Sequence, residues 1–368
     1  MRLVPAFFVA AFVAATPALA APSSPADPPA DSRELVLAGI KLHESGAYDD
    51  AISIYRRVLE TDPSNTEARY ELAFATFAKG DYLSAAGLLD PIVAAPDTAP
   101  QGAWLLLGMS HAMLGHWALA EETFRKGLAL APKDPNLRFH LALSQAAQGR
   151  FELAIDAFED CLRDSPYRAE VWRSFGDALY DSGARGRAFA AYARSLTLEG
   201  DTPPSEEVAR KMWEMIFEGL GDAREPAGAA PGRTIRVSVP KRTTRSSPSV
   251  AEAAGLSLIA VLRNEDGWKE KSDATFFVYA LDTMLRLVSS LQARETADPF
   301  WGPFVFAYFD AMRAGGHMEA LAYDIRRSAG DPDAVAWHER NLAKLNAFRR
   351  SSDSWAVDLG RADARARR

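Results

Sequence analysis

Residues 101–134 read QGAWLLLGMSHAMLGHWALAEETFRKGLALAPKD. On both sides of Gly115, large and small apolar residues recur at the spacing of a helix. A glycine at such a junction can take the left-handed conformation that ends one helix and turns the chain back. The stretch therefore predicts a hairpin of two helices.

The same pattern occurs five times between Ser32 and Gly200, and the turn glycines lie 34, 35, 34 and 34 residues apart. With this glycine at position 15, an alanine follows at position 20, a large residue at position 24 and, in three repeats, a proline at position 32. The residues concerned are Gly46, Gly80, Gly115, Gly149 and Gly183; Ala51, Ala85, Ala120, Ala154 and Ala188; Tyr55, Leu89, Phe124, Phe158 and Tyr192; and Pro63, Pro132 and Pro166. The period and motifs resemble the tetratricopeptide repeat (TPR) family over nearly half of the chain.

The resemblance implies an all-α fold, a right-handed superhelix of five helix–turn–helix repeats. Small residues at positions 8 and 20 let paired helices approach closely, and large residues at positions 4, 7 and 24 fill the remaining space. No repeat can bury its apolar face alone, so stacking is expected to supply the stability. We place the repeats at residues 32–65, 66–100, 101–134, 135–168 and 169–200.

A capping helix is predicted at residues 201–221, where Val208, Met212 and Met215 share one face at helical spacing. The composition then changes to Pro, Gly, Ser and Arg, which predicts a linker at 222–249. Within it, residues 234–239 alternate strictly, as an edge strand or an extended peptide would.

A helical C-terminal domain of no recognised family is predicted at 250–350, followed by a basic flexible tail at 351–368. Its candidate helices are 250–263, 273–294, 303–314, 316–329 and 333–349. The run from Phe300 to Met312 carries six aromatic residues, too many for an exposed helix. We expect most of them to form that domain's own core.

The first 20 residues have the features of a cleaved secretory signal: Arg2, an apolar run from Leu3 to Val13, and Ala18-Leu19-Ala20 as a cleavage site. Residues 21–31 are rich in proline and are expected to be a flexible lead. Export to the periplasm or secretion is therefore predicted, with no membrane span in the mature chain.

The net charge of −7 argues against a nucleic-acid partner, because such surfaces are normally basic. The single cysteine, Cys161, cannot form an internal disulfide and falls at a packed repeat position. We interpret it as a small core residue.

In the family that the repeats resemble, ligands lie in a concave groove lined by positions 2, 5, 9, 12 and 13 of the first helices. The middle of this groove is apolar here, and its ends are charged. The predicted groove residues are Tyr70, Phe74, Phe77, Leu105, Met109, Met113, Phe139, Leu143, Arg173 and Asp177.

Chaperone-binding members of the family hold a terminal carboxylate with basic and amide residues at positions 5, 9 and 12. Repeat one has Val36, Ile40 and His43 there, and repeat two is aromatic, so this carboxylate clamp is absent. An apolar groove suits an apolar or amphipathic peptide segment of a protein partner. The sequence thus favours an interaction scaffold or adaptor in a bacterial cell envelope; the alternative is a groove filled by the chain's own C-terminal region.

An enzyme with an unrecognised site in the C-terminal domain is the other alternative. The sequence contains no metal-binding His-Glu-x-x-His helix, no nucleophile elbow and no phosphate loop. The nearest constellation is His317, Glu319, His338 and Glu339, and His317 and Glu319 are too close in sequence to share a helical face. We therefore predict no catalytic residue, no metal and no cofactor.

Overall fold

The computed structural model describes residues 30–96, 99–199, 202–218, 271–295, 300–328 and 330–352. All regular secondary structure in these ranges is helical, which confirms the predicted all-α class. The chain divides into two compact units, Met1–Arg150 and Phe151–Arg368. None of the helices in the described ranges combines the length and the apolarity needed to cross a membrane.

The first unit contains seven helices among its described residues. They are α1 Ala30–Glu44, α2 Tyr48–Thr61, α3 Thr66–Ala78, α4 Tyr82–Val93, α5 Gln101–Met113, α6 Trp117–Leu130 and α7 Pro135–Ala147. Several begin with a side-chain cap: the carboxylate of Asp134 accepts hydrogen bonds from the backbone of Asn136 and Leu137. Such caps satisfy amides that have no partner within the helix.

The second unit continues the repeats and then adds the C-terminal helices. They are α8 Phe151–Asp164, α9 Ala169–Asp181, α10 Arg185–Leu198, α11 Pro203–Glu218, α12 Asp273–Glu295, a π-helix Trp301–Phe306, α13 Ala307–Ala314, α14 Met318–Ser328, α15 Pro332–Arg340 and α16 at 342–352. The predicted capping helix corresponds to α11. The predicted signal peptide, linker and helix at 250–263 lie outside the described residues.

The five turn glycines all take the predicted left-handed conformation, with φ between +73° and +89°. A side chain at these positions would be strained by its own backbone, because L-residues rarely adopt positive φ. The turn glycine therefore specifies the hairpin in every repeat.

Position 8 is small because the large residue at position 24 occupies its space. A Cβ atom on Gly39 would lie 2.5 Å from the Tyr55 ring, and one on Gly176 would lie 2.5 Å from the Tyr192 ring. Tyr55 and Tyr192 are fully buried as a result. Cys161 is also buried, as predicted.

Two residues of the aromatic run pack against the repeats. Ring centroids of Phe300 and Trp172 are 6.0 Å apart, and those of Trp301 and Phe175 are 5.6 Å apart. Because Trp172 and Phe175 belong to α9 in the fifth repeat, these aromatics cover the end of the repeat array. Phe300 and Trp301 therefore pack on repeat five, and the prediction of a core of its own for the C-terminal domain concerned most of the six aromatics, not all of them.

Helix α10 is enclosed by this arrangement. Eleven of its 14 residues are buried, whereas α2, the corresponding helix of repeat one, buries four of 14. Helices α11, α12 and α14 all contact α10. Even Arg194 is buried there, with its guanidinium 4.2 Å from the centre of the Tyr308 ring.

The last predicted helix, 333–349, is interrupted at Asn341. Asp331 caps α15 as expected, accepting from the amides of Asp333 and Ala334. The side-chain amide of Asn341 donates to the carbonyl oxygen of Trp337 at 2.9 Å. Such local side-chain bonds compete with the helix, and a second helix starts after this residue.

Candidate functional site

Eight of the predicted groove residues lie on α3, α5 and α7 of the first unit, and they divide into two groups by exposure. Tyr70, Phe74, Met113 and Leu143 are partly exposed. The other four are buried: Phe77, Leu105, Met109 and Phe139. The accessible apolar surface is thus smaller than the sequence indicated.

Neighbouring first helices explain the buried group. Helix α5 contacts both α3 and α7, so a side chain expected to face the groove meets the next helix instead. Met109 is 1% exposed and belongs to the same core as Leu89 and Phe124. Phe74, Met113 and Leu143 pack against that core from its edge, where one side of each remains accessible.

Tyr70 is positioned by a glycine that the sequence did not single out. A Cβ on Gly102 would overlap the Tyr70 hydroxyl, so the absence of a side chain there makes room for the phenol. Burial raises the pKa of Tyr70, and the nearby Glu71 raises it further. Gly102 therefore sets how far the Tyr70 side chain can extend over α5.

His43 at the end of α1 adds a neutral aromatic ring to this surface. Its ring centroid lies 4.4 Å from that of Phe74 and 5.1 Å from that of Tyr48. Burial lowers the pKa of His43, opposed by the charge of Glu44. The imidazole is therefore mainly uncharged at neutral pH.

Three carboxylates lie at the same end of the first unit, on Glu44, Glu67 and Glu71. Glu67 and Glu71 are four residues apart on α3, so they share one face of the helix. Burial raises the pKa of Glu71 to about 7, and the charge of Glu67 adds to the effect. The sequence did not single out Glu71, whose burial depends on its neighbours in the fold.

In the second unit, Arg173 and Asp177 bind to the chain itself. Arg173 forms an ion pair with Glu199 at 2.5 Å. Asp177 accepts a hydrogen bond from the Tyr192 hydroxyl at 2.6 Å and pairs with Lys211 of α11 at 2.5 Å. These two predicted groove residues therefore tie α9 to α10 and to the capping helix.

The residues of the candidate C-terminal constellation make separate structural contacts. His338 lies 2.9 Å from Asp324 through Nε2 and 2.9 Å from the Ala334 carbonyl oxygen through Nδ1. Glu319 pairs with Lys344 at 2.8 Å, and the ring centroid of His317 is 6.4 Å from that of Phe348. The contacts of His317, Glu319 and His338 thus involve different partners, and each of these three residues has its own role in packing.

Three tetratricopeptide repeat family models match residues 42–106, 101–144 and 139–205. This chain is a tetratricopeptide repeat protein. The matched residues include the hairpins and the turn glycines described above. The TPR fold is in general a non-catalytic scaffold, and TPR proteins bind protein or peptide partners on extended concave surfaces.

Two curated proteins share the repeats with this TPR protein. Human Protein O-mannosyl-transferase TMTC1 is 27% identical over 191 residues, which are 51% of this chain and 21% of that protein. The peroxisomal targeting signal receptor of Saccharomyces cerevisiae is 27% identical over 191 residues, 49% of this chain and 30% of that protein. The chain thus spans less than a third of the length of either relative.

Solved TPR structures match similar portions of the chain. A crystal structure of MamA is 26% identical, with a TM-score of 0.40, and the match covers 43% of this chain and 92% of MamA. YrrB, described as a TPR protein with an unusual peptide-binding site, is 19% identical with a TM-score of 0.40; its match covers 46% of this chain and 87% of YrrB.

Proposed function

We propose that this TPR protein is an interaction scaffold that binds an apolar or amphipathic peptide segment of a protein partner along α3, α5 and α7. The observation that supports this is the row of partly exposed apolar side chains, Tyr70, Phe74, Met113 and Leu143. They rest on a packed core, so the surface is already formed before a partner arrives. A preformed surface lowers the entropic cost of binding.

The side chains in this row suit apolar ligands of differing shape. Phe74 offers an aromatic face beside His43, and Met113 is a flexible thioether that adapts to irregular surfaces. No lysine, arginine, asparagine or glutamine that would hold a terminal carboxylate occurs at positions 5, 9 and 12 of repeats one and two, and burial lowers the pKa of His43 at position 12 of repeat one. The proposed ligand is therefore an internal segment of the partner, which the surface recognises through the apolar side chains of that segment.

The binding proposal is tested by selection followed by mutation. Random 12-residue peptides are selected by mRNA display for binding to the full-length protein. The affinity of the enriched peptides is then measured by fluorescence anisotropy. Phe74→Glu and Leu143→Glu are each expected to weaken binding by about tenfold or more, because a charge would enter the apolar contact.

Leu83→Glu is the matched control for these variants. Leu83 lies on α4 and is 71% exposed, so the same change in charge there is expected to leave affinity within about twofold. Equal affinities for Phe74→Glu, Leu143→Glu and the unchanged chain would show that the ligand binds elsewhere.

We further propose that the protein is exported to a bacterial cell envelope and cleaved after Ala20. The support is the sequence of residues 1–20, in which Arg2, an apolar run and Ala-x-Ala occur together. Mass spectrometry of the chain in a periplasmic extract is expected to find Ala21 at the N-terminus. Recovery of the uncleaved chain from the cytoplasm would contradict the proposed localisation.

A further inference from the structure

Three glutamate carboxylates that form no ion pair within the described part of the chain lie at one end of the proposed peptide-binding surface. Glu44 belongs to the last turn of α1, and Glu67 and Glu71 lie four residues apart on α3. None of these carboxylates forms an ion pair with another residue in the described part of the chain. We define these three residues as the acidic cluster.

A buried hydroxyl group lies within electrostatic reach of the acidic cluster. Tyr55 on α2 is 0% exposed, and its Oη atom has no hydrogen-bond partner among the residues that the structure describes. The ring passes over Gly39 of α1. After burial, the charges of Glu71, Glu44 and Glu67 are what raise the pKa of Tyr55, so the hydroxyl lies within electrostatic reach of all three carboxylates.

The basic groups nearest in sequence do not neutralise the acidic cluster. The guanidinium of Arg69 donates to the Pro63 carbonyl oxygen, and Lys79 pairs with Asp49 of α2. Arg33 and Lys41 of α1 are exposed and form no ion pair with the cluster. His43 is largely uncharged because of its burial.

Carboxylates that have no cationic partner favour the approach of a cation, and a cation beside Glu71 would favour the charged form of that side chain. Lysine and arginine side chains present only donors, three on an ammonium group and five on a guanidinium group. The cluster presents carboxylate oxygens, which accept. On α3, Glu67 is three residues before Tyr70 and Glu71 is three residues before Phe74. Residues at this spacing are neighbours on a helix surface, so one short peptide can contact both the apolar row and the cluster.

We infer that the acidic cluster binds a lysine or arginine side chain of the same peptide whose apolar residues occupy α3, α5 and α7. The inference rests on the proposed peptide-binding function and adds the chemistry of one ligand residue. The cluster then sets the direction of the peptide, because the cation must lie at the α1 end of the apolar row. The groove would thus select for a basic residue next to an apolar segment.

The test uses the dodecapeptide selection on the full chain, run in parallel on the double variant Glu67→Gln/Glu71→Gln. On the unchanged chain, enriched peptides are expected to combine apolar residues with lysine or arginine. Peptides selected on the double variant are expected to be enriched in apolar residues still, but no longer in lysine or arginine. Glu34→Gln/Glu60→Gln is the matched control, since both residues are exposed on the same unit and the same net charge is removed.

An enriched peptide then permits a double-mutant cycle by fluorescence anisotropy. Replacing its basic residue by glutamine is expected to weaken binding to the unchanged chain by about tenfold, and to the Glu71→Gln variant by less than about twofold. Thermal unfolding of each variant checks that the repeats remain folded.

Each other outcome contradicts a specific statement. Apolar enrichment without a basic residue would overturn the inference and leave the proposed function standing. Basic enrichment that persists on Glu67→Gln/Glu71→Gln would place the cation elsewhere and also overturn it. If the selected peptides are not enriched in apolar residues, the proposed function itself is overturned. That result is expected if the chain's own residues fill the surface.

Discussion

Repeats two and five have the same hairpin but use the equivalent first-helix positions differently. In repeat two, the residues at positions 5 and 9 are Tyr70 and Phe74, and both remain partly exposed. In repeat five they are Arg173 and Asp177, which pair with Glu199 and Lys211 of the same unit. The difference shows that the same first-helix positions can either remain accessible, as the proposed binding surface requires, or close the array.

The outer helices differ in the same way. Helix α2 is buried along one face, whereas α10 is buried around most of its circumference by α11, α12 and α14. A solenoid helix is normally exposed on its outer side, so α10 depends on residues far away in sequence. We therefore expect mutations in the second unit to affect mainly folding, and mutations of the accessible row in the first unit to affect mainly binding.

Trp301→Ala is expected to have the largest effect on stability. Trp301 is 0% exposed and stacks on Phe175, and truncation of a buried tryptophan typically costs about 3–5 kcal/mol. Urea unfolding followed by circular dichroism measures the loss. A matched Phe74→Ala change in the first unit is expected to cost much less, since Phe74 is partly exposed. Equal losses would contradict the contrast between the units.

Gly46→Ala and Gly183→Ala test what the two units share. Both glycines have positive φ, +81° and +89°, and a Cβ on Gly46 would meet no neighbour within 4 Å. The expected cost is therefore conformational, about 1–2 kcal/mol for each. Similar falls in Tm are expected. A negligible effect in only one unit would show that its hairpin does not depend on the left-handed turn.

Glu71→Gln is expected to stabilise the protein in a pH-dependent way. The pKa of Glu71 is raised from 4.5 to about 7, so the folded state keeps a proton that the unfolded chain releases between these values. Stability is thus expected to fall as pH rises from 4.5 to 7. Glutamine does not ionise, so the variant is expected to gain of the order of 1 kcal/mol at pH 8.

That gain is expected to shrink as the pH approaches 4.5, where Glu71 is protonated in both states. Thermal unfolding of both proteins at several pH values measures it, with Glu60→Gln as the exposed control. A gain that is the same at pH 5 and pH 8 would show that ionisation of Glu71 is not its cause.

Asp177→Asn is expected to have the smallest effect. The carboxylate links Tyr192 and Lys211, but the Asp177 and Lys211 side chains are 40% and 32% exposed. Solvent screening reduces such pairs to about 0–1 kcal/mol. Thermal unfolding of the variant and of the unchanged protein measures the loss of stability. At raised salt this loss is expected to be still smaller, and a loss that does not depend on salt would indicate that the hydrogen bond from Tyr192 dominates.

Local residues were enough to predict the regular part of the fold. The spacing of Gly46 through Gly183 located the turns, the Val208–Met215 stripe located α11, and Asp331 located the start of α15. Each prediction depends on interactions between residues close in sequence, such as caps, turns and helical periodicity. The break at Asn341 was missed because its side-chain bond to Trp337 competes with an otherwise favourable helical pattern.

The candidate site was only partly predictable. The repeat positions assigned Tyr70, Phe74 and Met109 alike to the groove. Tyr70 and Phe74 are partly exposed, whereas the packing of neighbouring helices buries Met109. The unusual pKa of Glu71 was missed because burial causes it. Periodicity shows which face a residue lies on, but it does not show how closely another helix covers that face.

By itself, the sequence determined the hairpin, its period and the number of repeats, because glycine conformation and small-against-large packing act within one repeat. Only the tertiary structure decided that Phe300 and Trp301 cover α9, that α10 is enclosed, and that Arg173 and Asp177 are paired internally. These outcomes depend on contacts between residues more than a hundred positions apart or on different helices. Such contacts depend on complementary shape and charge, which a repeat pattern along the chain does not record.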